Sequence, residues 1–295
     1  MQIFDFKNLQ TNGFVVVKKF LNTNDIEKLK SNFDLSSTQE KQNKNYDIVP
    51  SLAPHNIDHL IYDLLDKIKK ETDISVDWIN PNGGWFNTSE VEFGWHQDHE
   101  PYWLGQDSYN HLNFWIPVVK PNSITTGLSV VPFDQLKLVD SNLTMSQIIK
   151  KGAKRFTVDG DGTNVQDNDT GKRFRLNIDI STIAVAPELS VGDLLILRGD
   201  SIHKTQDIQS NRLALSIRCY NSKSVLTREQ FVQGGRVKRN MIEKNLSTYQ
   251  ILIDRFIHQG NKTIPLAELL TQFTQEKLLK NFQVTGTTSK YQHDT

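Results

Sequence analysis

The sequence crowds side chains that bind metals into one short stretch, GWHQDHEPYW, at residues 94–103. In a β-strand, residues i and i+2 point to the same face about 7 Å apart, so His96 and Asp98 could reach one ion while Gln97 points away. A His-x-Asp pair arises easily by chance in a chain of 295 residues. The pair therefore predicts a metal site only where a third ligand joins it.

His203 is the best candidate for that third ligand. In VGDLLILRGDSIHKTQD it follows a Gly-Asp turn and a buried LLIL strand, which places the imidazole where a barrel strand opens towards its mouth. Two histidines and one carboxylate form the facial set associated with non-haem iron(II), which leaves three coordination positions open. Two histidines compete for the role: His99 has the opposite strand parity from His96, and His111 follows the polar stretch GQDSYN.

Open positions on iron(II) call for a co-substrate that supplies electrons, and a dicarboxylate such as 2-oxoglutarate needs a fixed cation for its far end. Arg212 begins RLALSIRCY nine positions after His203, close enough to return on an adjacent strand. Its planar guanidinium suits a carboxylate through two hydrogen bonds. Arg218 is the alternative, because the even spacing puts both arginines on one face. We expect Arg218 to lie further along that strand and away from the iron.

The elements that must position these residues change in character along the chain. GFVVVKKFL (13–21) predicts a strand, the following NTNDIEKLKSNF predicts a helix, and residues 57–70 also carry apolar side chains at helical spacing. From about 74 to 220, short β-rich runs between turn residues predict an antiparallel sandwich or barrel. Within it, the polar stretch 159–172 predicts a mobile hairpin tip or lid. Helical spacing returns beyond residue 235.

Composition narrows the class of protein. Lys plus Arg equals Asp plus Glu at 34 each, so no overall field attracts nucleic acid or an anionic membrane. No apolar run approaches the length of a membrane span, and the first residues lack the order of a signal peptide, so we expect a cytoplasmic protein. The single cysteine, Cys219, permits no internal disulfide and no thiolate cage. Any metal must therefore use nitrogen and oxygen ligands.

The order of these motifs resembles the phytanoyl-CoA dioxygenase family of iron(II)- and 2-oxoglutarate-dependent oxygenases. The resemblance is carried by WHQD (95–98), LNFWIPVV followed by TTGLSVVP (112–132), GDLLILRGDSIHKT (192–205) and RLALSIRCY (212–220). The opening GFVVVKKFLNTNDIEKLKSNF is also similar to that family's usual start. The resemblance thus spans about residues 13–220.

The resemblance implies a mainly β protein with flanking helices, whose core is a cupin-like double-stranded β-helix, or jelly roll. It also implies two groups of site residues. The iron ligands, which are also the catalytic residues, are His96, Asp98 and His203. The residues that bind 2-oxoglutarate are Arg212, Thr205 and Trp115.

We expect one oxygenase domain over residues 1–295. Its predicted parts, in chain order, are an N-terminal strand and helices (1–73), a jelly-roll core (74–220) with an inserted loop (134–190), C-terminal helices (221–282) and a flexible tail (283–295).

The expected reaction consumes iron-bound O₂ and 2-oxoglutarate, releases succinate and CO₂, and hydroxylates an unactivated C–H bond of a small molecule. The carboxylate of Asp98 favours hydroxylation over halogenation, since related halogenases lack it, whereas desaturation and cyclisation would use the same ligands. Candidates for the substrate pocket are Trp85, Trp95, His99 and Trp103. Two alternatives use the same fold or ligands: a non-catalytic jelly-roll binding protein, and a zinc hydrolase, which would need a general base nearby.

Overall fold

The computed structural model describes residues 5–39, 48–50, 56–80, 84–87, 93–99, 105–125, 127–139, 146–206, 212–244 and 246–275. Two predictions lie outside these residues: the substrate role of Trp103 and the flexible tail 283–295.

The strands within the described residues are β1 (Phe14–Val17), β2 (Ile48–Pro50), β3 (Trp78–Ile79), β4 (Gly84–Asn87), β5 (His111–Val119), β6 (Leu128–Val131), β7 (Lys154–Asp159), β8 (Gly162–Asp167), β9 (Arg173–Leu176), β10 (Leu194–Arg198), β11 (Ile202–Thr205), β12 (Leu213–Tyr220), β13 (Val225–Thr227) and β14 (Thr263–Pro265).

The α-helices there are α1 (Asn8–Thr11), α2 (Thr23–Gln39), α3 (Asp58–Glu71), α4 (Phe133–Val139), α5 (Arg228–Val232), α6 (Arg236–Lys244), α7 (Leu246–Ile253) and α8 (Leu266–Gln275). A 3₁₀ turn covers Ile180–Thr182, and a π-helical turn, Asp254–His258, extends α7. No helix of the described residues is long and apolar enough to span a bilayer.

Two antiparallel sheets form the core. The major sheet has the strand order β1-β10-β5-β12-β4-β2, with β3 also paired to β12. In the minor sheet β6 pairs with β11, and His96 makes single bridges to His203 on β11 and to Arg155 on β7. Through that bridge the sheet continues into β7-β8-β9. This arrangement is a jelly roll, and the predicted fold class is confirmed.

Strand alternation explains how the major sheet is buried on both faces. On β5, Leu112, Phe114 and Ile116 point outwards into a cluster that includes the buried stripe of α3, whereas Trp115 points inwards towards Leu128 of β6. Fully burying each such side chain contributes about 1.5–3 kcal/mol. The helix predicted over residues 57–70 therefore belongs to the outer layer that the sheet needs, and the strand predicted near residue 15 is the edge strand β1 of the sheet itself.

The inserted loop expected at 134–190 is instead mostly regular structure. It contains α4 and the antiparallel strands β7, β8 and β9, and the expected mobile stretch 159–172 is largely strand β8 with a turn at each end. One face of these strands packs Phe156, Val165 and Leu176 into a buried cluster. The prediction of a loop was wrong because the polar residues between them occupy the solvent face of the strands.

The C-terminal helices predicted beyond residue 221 are present through residue 275 and pack around their own cluster. Phe231, Leu252, Phe256 and Leu269 are buried there, together with Tyr220 at the end of β12. The cluster thus closes the end of the barrel at which β12 terminates.

Candidate metal centre

The backbone brings the two histidines of the predicted triad together. The amide of His96 donates to the carbonyl of His203 at 3.0 Å, and the amide of His203 donates back to the carbonyl of His96 at 3.0 Å. Residues paired in this way stand directly opposite each other, so both side chains leave the minor sheet on the same face. Their imidazole centroids lie 4.4 Å apart.

Asp98 completes the cluster. Its Oδ1 lies 3.5 Å from His96 Nε2 and 3.7 Å from His203 Nε2. One donor atom from each residue lies within 4.8 Å of the other two, and the three side chains are largely buried. Donors about 2.1 Å from one ion lie about 3 Å apart. The triad therefore needs only a small adjustment to hold one metal ion.

Both histidines are held in the tautomer that a metal requires. His96 Nδ1 lies 2.7 Å from the carbonyl of Gly94, and His203 Nδ1 lies 3.1 Å from the carbonyl of Ser201. A carbonyl only accepts, so each Nδ1 carries the proton and each Nε2 presents its lone pair. The two lone pairs converge on the side where Asp98 Oδ1 lies.

The charges in the cluster suit a divalent cation. Burial raises the pKa of the Asp98 carboxyl, but the neighbouring His96, His203 and Arg218 side chains hold that pKa well below its usual range. Burial, assisted by His96, lowers the pKa of His203 to about 4. At neutral pH the cluster therefore offers one anionic oxygen and neutral imidazole, which are the protonation states a metal needs.

Gln97 links the two segments that carry the triad residues through hydrogen bonds. The sequence predicted only that its side chain points away from the face of His96 and Asp98, and not this role. Its buried Nε2 donates to the carbonyl of Ile148 at 3.0 Å and to the carbonyl of Asp200 at 2.8 Å. The Asp200 carboxylate is in turn bound through two hydrogen bonds by Arg198, at 2.6 and 2.9 Å. The segment before His203 is thus anchored to the segment that carries His96 and Asp98.

The residues predicted to bind the co-substrate lie on strands of the two facing sheets or directly next to one. Arg212 is buried where β12 begins, with Nη1 3.4 Å from the carbonyl of Gly127. Thr205 is buried at the end of β11, where its hydroxyl accepts from the amide of Phe93 at 3.2 Å. Trp115 is buried on the inner face of β5 and tilts against Phe86, with ring centroids 4.9 Å apart.

Arg218 is not where the sequence led us to expect it. It projects from the inner face of β12, with Nη1 3.3 Å from Ser216 Oγ. Its charge is close enough to contribute to lowering the pKa of Asp98 and of His203. The expectation that Arg218 lies away from the metal was wrong, because β12 runs back towards the triad from Arg212.

The competing histidines stand beside the triad but outside it. His99 Nε2 lies 2.8 Å from Asn168 Nδ2, and burial together with Arg155 lowers its pKa to about 3. His111 is fully buried on β5 and packs edge-on against Tyr220, with ring centroids 4.7 Å apart.

Two tryptophans predicted to line a substrate pocket belong to the core instead. Trp85 is fully buried in the outer cluster and meets Phe33 of α2 edge-on at 5.6 Å. Trp95 points away from the inner space, because it has the opposite parity from His96, and Lys204 covers its ring at 4.9 Å. Neither faces the triad, so the structure does not support these two substrate roles.

No protein-family model and no curated protein sequence matches this chain. Solved structures do resemble it. That of the non-heme alpha ketoglutarate dependent carbocyclase SnoK from nogalamycin biosynthesis matches over 81% of this chain and 89% of its own, at 13% identity and a TM-score of 0.53. The structure of EctD from S. alaskensis matches over 78% of this chain and 80% of its own, at 11% identity and a TM-score of 0.49. The structure of the non-heme alpha ketoglutarate dependent epimerase SnoN from nogalamycin biosynthesis matches over 75% of this chain and 83% of its own, at 13% identity and a TM-score of 0.48. The likeness to SnoK shows a shared fold.

Proposed function

We propose that this protein is an iron(II)- and 2-oxoglutarate-dependent oxygenase of the phytanoyl-CoA dioxygenase type, which hydroxylates a C–H bond of a small molecule. The observation that carries the proposal is the donor set. His96, Asp98 and His203 bring three donor atoms, two imidazole nitrogens and a carboxylate oxygen, to one place inside a jelly roll. Three protein donors from the described part of the chain leave three positions for a co-substrate and O₂.

Each residue of the inner space then has a distinct task. The triad would hold the iron, which would supply the redox chemistry by which O₂ and a 2-oxo acid oxidise a C–H bond. Arg212 binds the distal carboxylate of 2-oxoglutarate, and the Thr205 hydroxyl, which accepts from the backbone, donates its own proton to the same carboxylate. Trp115 excludes water from the space between them.

A zinc hydrolase on the same ligands has a weaker basis in this structure. Hydrolysis needs a general base with a pKa near neutrality close to the metal. The described histidines next to the triad, His99 and His111, both have a pKa of about 3, lowered chiefly by burial. Imidazoles that weak do not serve as the base at neutral pH.

Metal binding and turnover test the proposal together. Wild-type protein should bind one iron(II) per chain under argon, develop a weak visible charge-transfer band when 2-oxoglutarate is added, and form succinate in air. Asp98→Ala and His203→Ala should lose the iron. His59→Ala is the matched control, because His59 is an exposed histidine on α3 and should leave iron binding unchanged. Unaltered iron stoichiometry in His203→Ala would remove His203 from the site. A wild-type protein that binds iron but gives no band and no succinate would favour a non-catalytic binding protein.

A further inference from the structure

Asp98 lies at the end of the backbone pairing that holds its segment. Residues 95–98 pair with the chain around the start of β7. The last of these backbone bonds within the described residues runs from the amide of Ala153 to the carbonyl of Asp98, at 3.2 Å. Hydrogen-bonded elements open most easily at their ends. The direction of the Asp98 side chain therefore depends on contacts made at that bond and just after it.

Ala153, which makes this last bond, has a strained backbone. Its φ is +60°, in the left-handed region, and its side chain is fully buried. A residue with a Cβ atom loses free energy in this region, because Cβ comes too close to a carbonyl oxygen. Such conformations persist only where the surrounding structure imposes them, and they cluster at ligand-binding sites. The strain at Ala153 points to a function for the contacts made there.

Asn168, at the end of β8, contacts both neighbours of Asp98. Its backbone amide donates to the carbonyl of Ala153 at 2.9 Å, and its side-chain Nδ2 donates to His99 Nε2 at 2.8 Å. Ala153 is bonded to the carbonyl of Asp98, and His99 follows Asp98 in the chain. We call Ala153 and Asn168 the Asp98 bracket.

The side chain of Asn168 is a poor choice for stability alone. It is only 1% exposed, and its Oδ1 has no hydrogen-bond partner among the described residues. A buried polar atom without a partner lowers stability, and such atoms are rare in folded proteins. An apolar side chain at position 168 would avoid that loss. What the amide contributes is therefore its other atom, the Nδ2 that binds His99.

The C-terminal helices fix the position of the bracket from outside. Asp169, the next residue after Asn168, forms a buried ion pair with Lys238 of α6 at 2.6 Å. The start of α6 lies directly against the same turn, because a Cβ atom added at Gly235 would lie 2.9 Å from the backbone nitrogen of Gly171. Asn168 therefore meets His99 from a rigid support.

We propose that Asn168 is a positioning residue for the metal ligand Asp98, acting through His99. By holding His99, it fixes the direction in which the chain leaves Asp98 and thereby the direction of the carboxylate. That carboxylate already lies 3.5 and 3.7 Å from the Nε2 atoms of the two triad histidines. The bracket thus raises the affinity of the triad for its metal. The inference rests on the proposed function, because it requires that the triad binds a metal.

Titration with cobalt(II) under argon tests this role, because the visible bands of bound cobalt(II) report the geometry of its ligands. Asn168→Leu removes the donor and the unpaired oxygen together, so its effects on stability oppose each other. Outer partners of metal ligands contribute roughly 10–100-fold in metal affinity, and we expect a loss of about tenfold in Asn168→Leu, with altered visible bands. Asn164→Leu is the matched control, because Asn164 is an exposed asparagine of β8 and should bind cobalt(II) like the wild type.

A cycle of variants shows whether Asn168 acts through His99. His99→Leu and the double variant with Asn168→Leu should each lose about as much affinity as Asn168→Leu alone, because the two side chains form one contact. Gly192→Ala controls for loss of stability, because it strains the turn before β10 and should leave cobalt(II) binding unchanged.

Four results would overturn the proposal: a loss of less than about threefold in Asn168→Leu, unaltered visible bands in that variant, losses that multiply in the double variant, or an equal loss in Gly192→Ala. If Asn168→Leu does not fold, Asn168→Ala, which cannot clash with its surroundings, decides by the same criteria.

The proposed function fails separately. A wild-type protein that binds cobalt(II) but forms no succinate with iron(II), 2-oxoglutarate and O₂ would overturn the oxygenase and leave the criteria for Asn168 in force. A wild-type protein that binds no cobalt(II) would overturn both proposals.

Discussion

The buried ion pair between Lys238 of α6 and Asp169 in the β8–β9 turn should be costly to break from one side. Lys238 Nζ lies 2.6 Å from Asp169 Oδ1, and each side chain is only 1% exposed. Lys238 also donates to the carbonyl of Gln230. Next to Asp169, Asn168 bonds His99, the neighbour of the metal-binding candidate Asp98. The pair therefore joins the C-terminal helices to the segment that carries the triad, which supports our proposal of a single domain.

Replacing Lys238 by Met keeps the length of the side chain and removes its charge. Asp169 is then left buried with an uncompensated carboxylate, whose Oδ2 already has no hydrogen-bond partner among the described residues. Breaking a buried pair from one side costs about 3–5 kcal/mol. For a chain of 295 residues, with an unfolding entropy of about 2.1 cal/mol/K per residue, that corresponds to a fall of about 5–8 °C in Tm. The double variant Lys238→Met with Asp169→Asn removes both charges and should recover most of the loss.

Thermal unfolding of the metal-free protein, followed by circular dichroism, measures these changes. Lys172→Met is the matched control, because Lys172 is an exposed lysine in the same turn and should change the stability by less than about 0.5 kcal/mol. A loss below about 1 kcal/mol in Lys238→Met, or a double variant no more stable than the single one, would refute the reasoning. Either result would mean that water reaches the pair and compensates the charge.

Three further predictions concern separate parts of the molecule. Arg212→Ala should raise the Kd for 2-oxoglutarate at least about thirtyfold and leave the iron stoichiometry unchanged. The reason is that truncating a buried guanidinium that binds a carboxylate costs about 2–5 kcal/mol. Calorimetry on the iron-loaded protein measures the Kd, and an unchanged Kd would contradict this prediction. Gly192→Ala should lower the free energy of unfolding by about 2 kcal/mol, because Gly192 has φ +83° and an added Cβ would lie 2.8 Å from the carbonyl oxygen of Leu21; urea unfolding measures the loss. Metal-free protein should lose stability as the pH falls below about 6.5, by about 3–4 kcal/mol per pH unit between roughly pH 6 and 4. Burial lowers the pKa of His99 and of His111 to about 3 and that of His203 to about 4, so the unfolded chain takes up protons that the folded chain does not. Stability that is flat across that range would contradict the third prediction.

Local patterns in the sequence were enough to predict the β-rich core, its outer helices and the residues that meet at the triad. Each of these predictions depends on the spacing of residues within one segment, or on the pairing of two segments whose sequences both predict strands. His96 and Asp98 are two residues apart, so their side chains lie on the same face of a strand. His203 comes shortly after the apolar run LLIL, which clearly predicts a buried strand. The residues were predictable because each one sits next to a strong strand signal.

The insertion and the substrate residues were harder, for different physical reasons. In β8 only Val165 is strongly apolar, so the alternation that marks a strand is hidden, and burial comes from Phe156 and Leu176 on neighbouring strands. Pairing across strands is not visible in a single segment. Trp95, in contrast, was predictable: it has the opposite parity from His96 and therefore had to leave the inner space.

The position of Arg218 could also have been deduced from the chain's direction. β11 runs from His203 to Thr205 in the minor sheet, and β12 returns from Arg212 in the major sheet. A chain that crosses between facing sheets and reverses brings later residues of the second strand back towards the start of the first. With about 3.3 Å per residue, six residues of strand separate Arg212 and Arg218 by about 20 Å. The effect of Arg218 on the pKa of Asp98 and of His203 puts Arg218, and not Arg212, at the triad end. Because Arg212 and Arg218 are an even number of residues apart, their side chains lie on the same face of the sheet. Because the chain reverses its direction before Arg212, the two arginines lie at opposite ends of the inner space. Hence their variants should differ in kind: Arg212→Ala should weaken 2-oxoglutarate but not pyruvate, which lacks the distal carboxylate. An Arg212→Ala protein that loses both ligands equally would show that the two arginines act at one place and that this reading of the reversal is wrong.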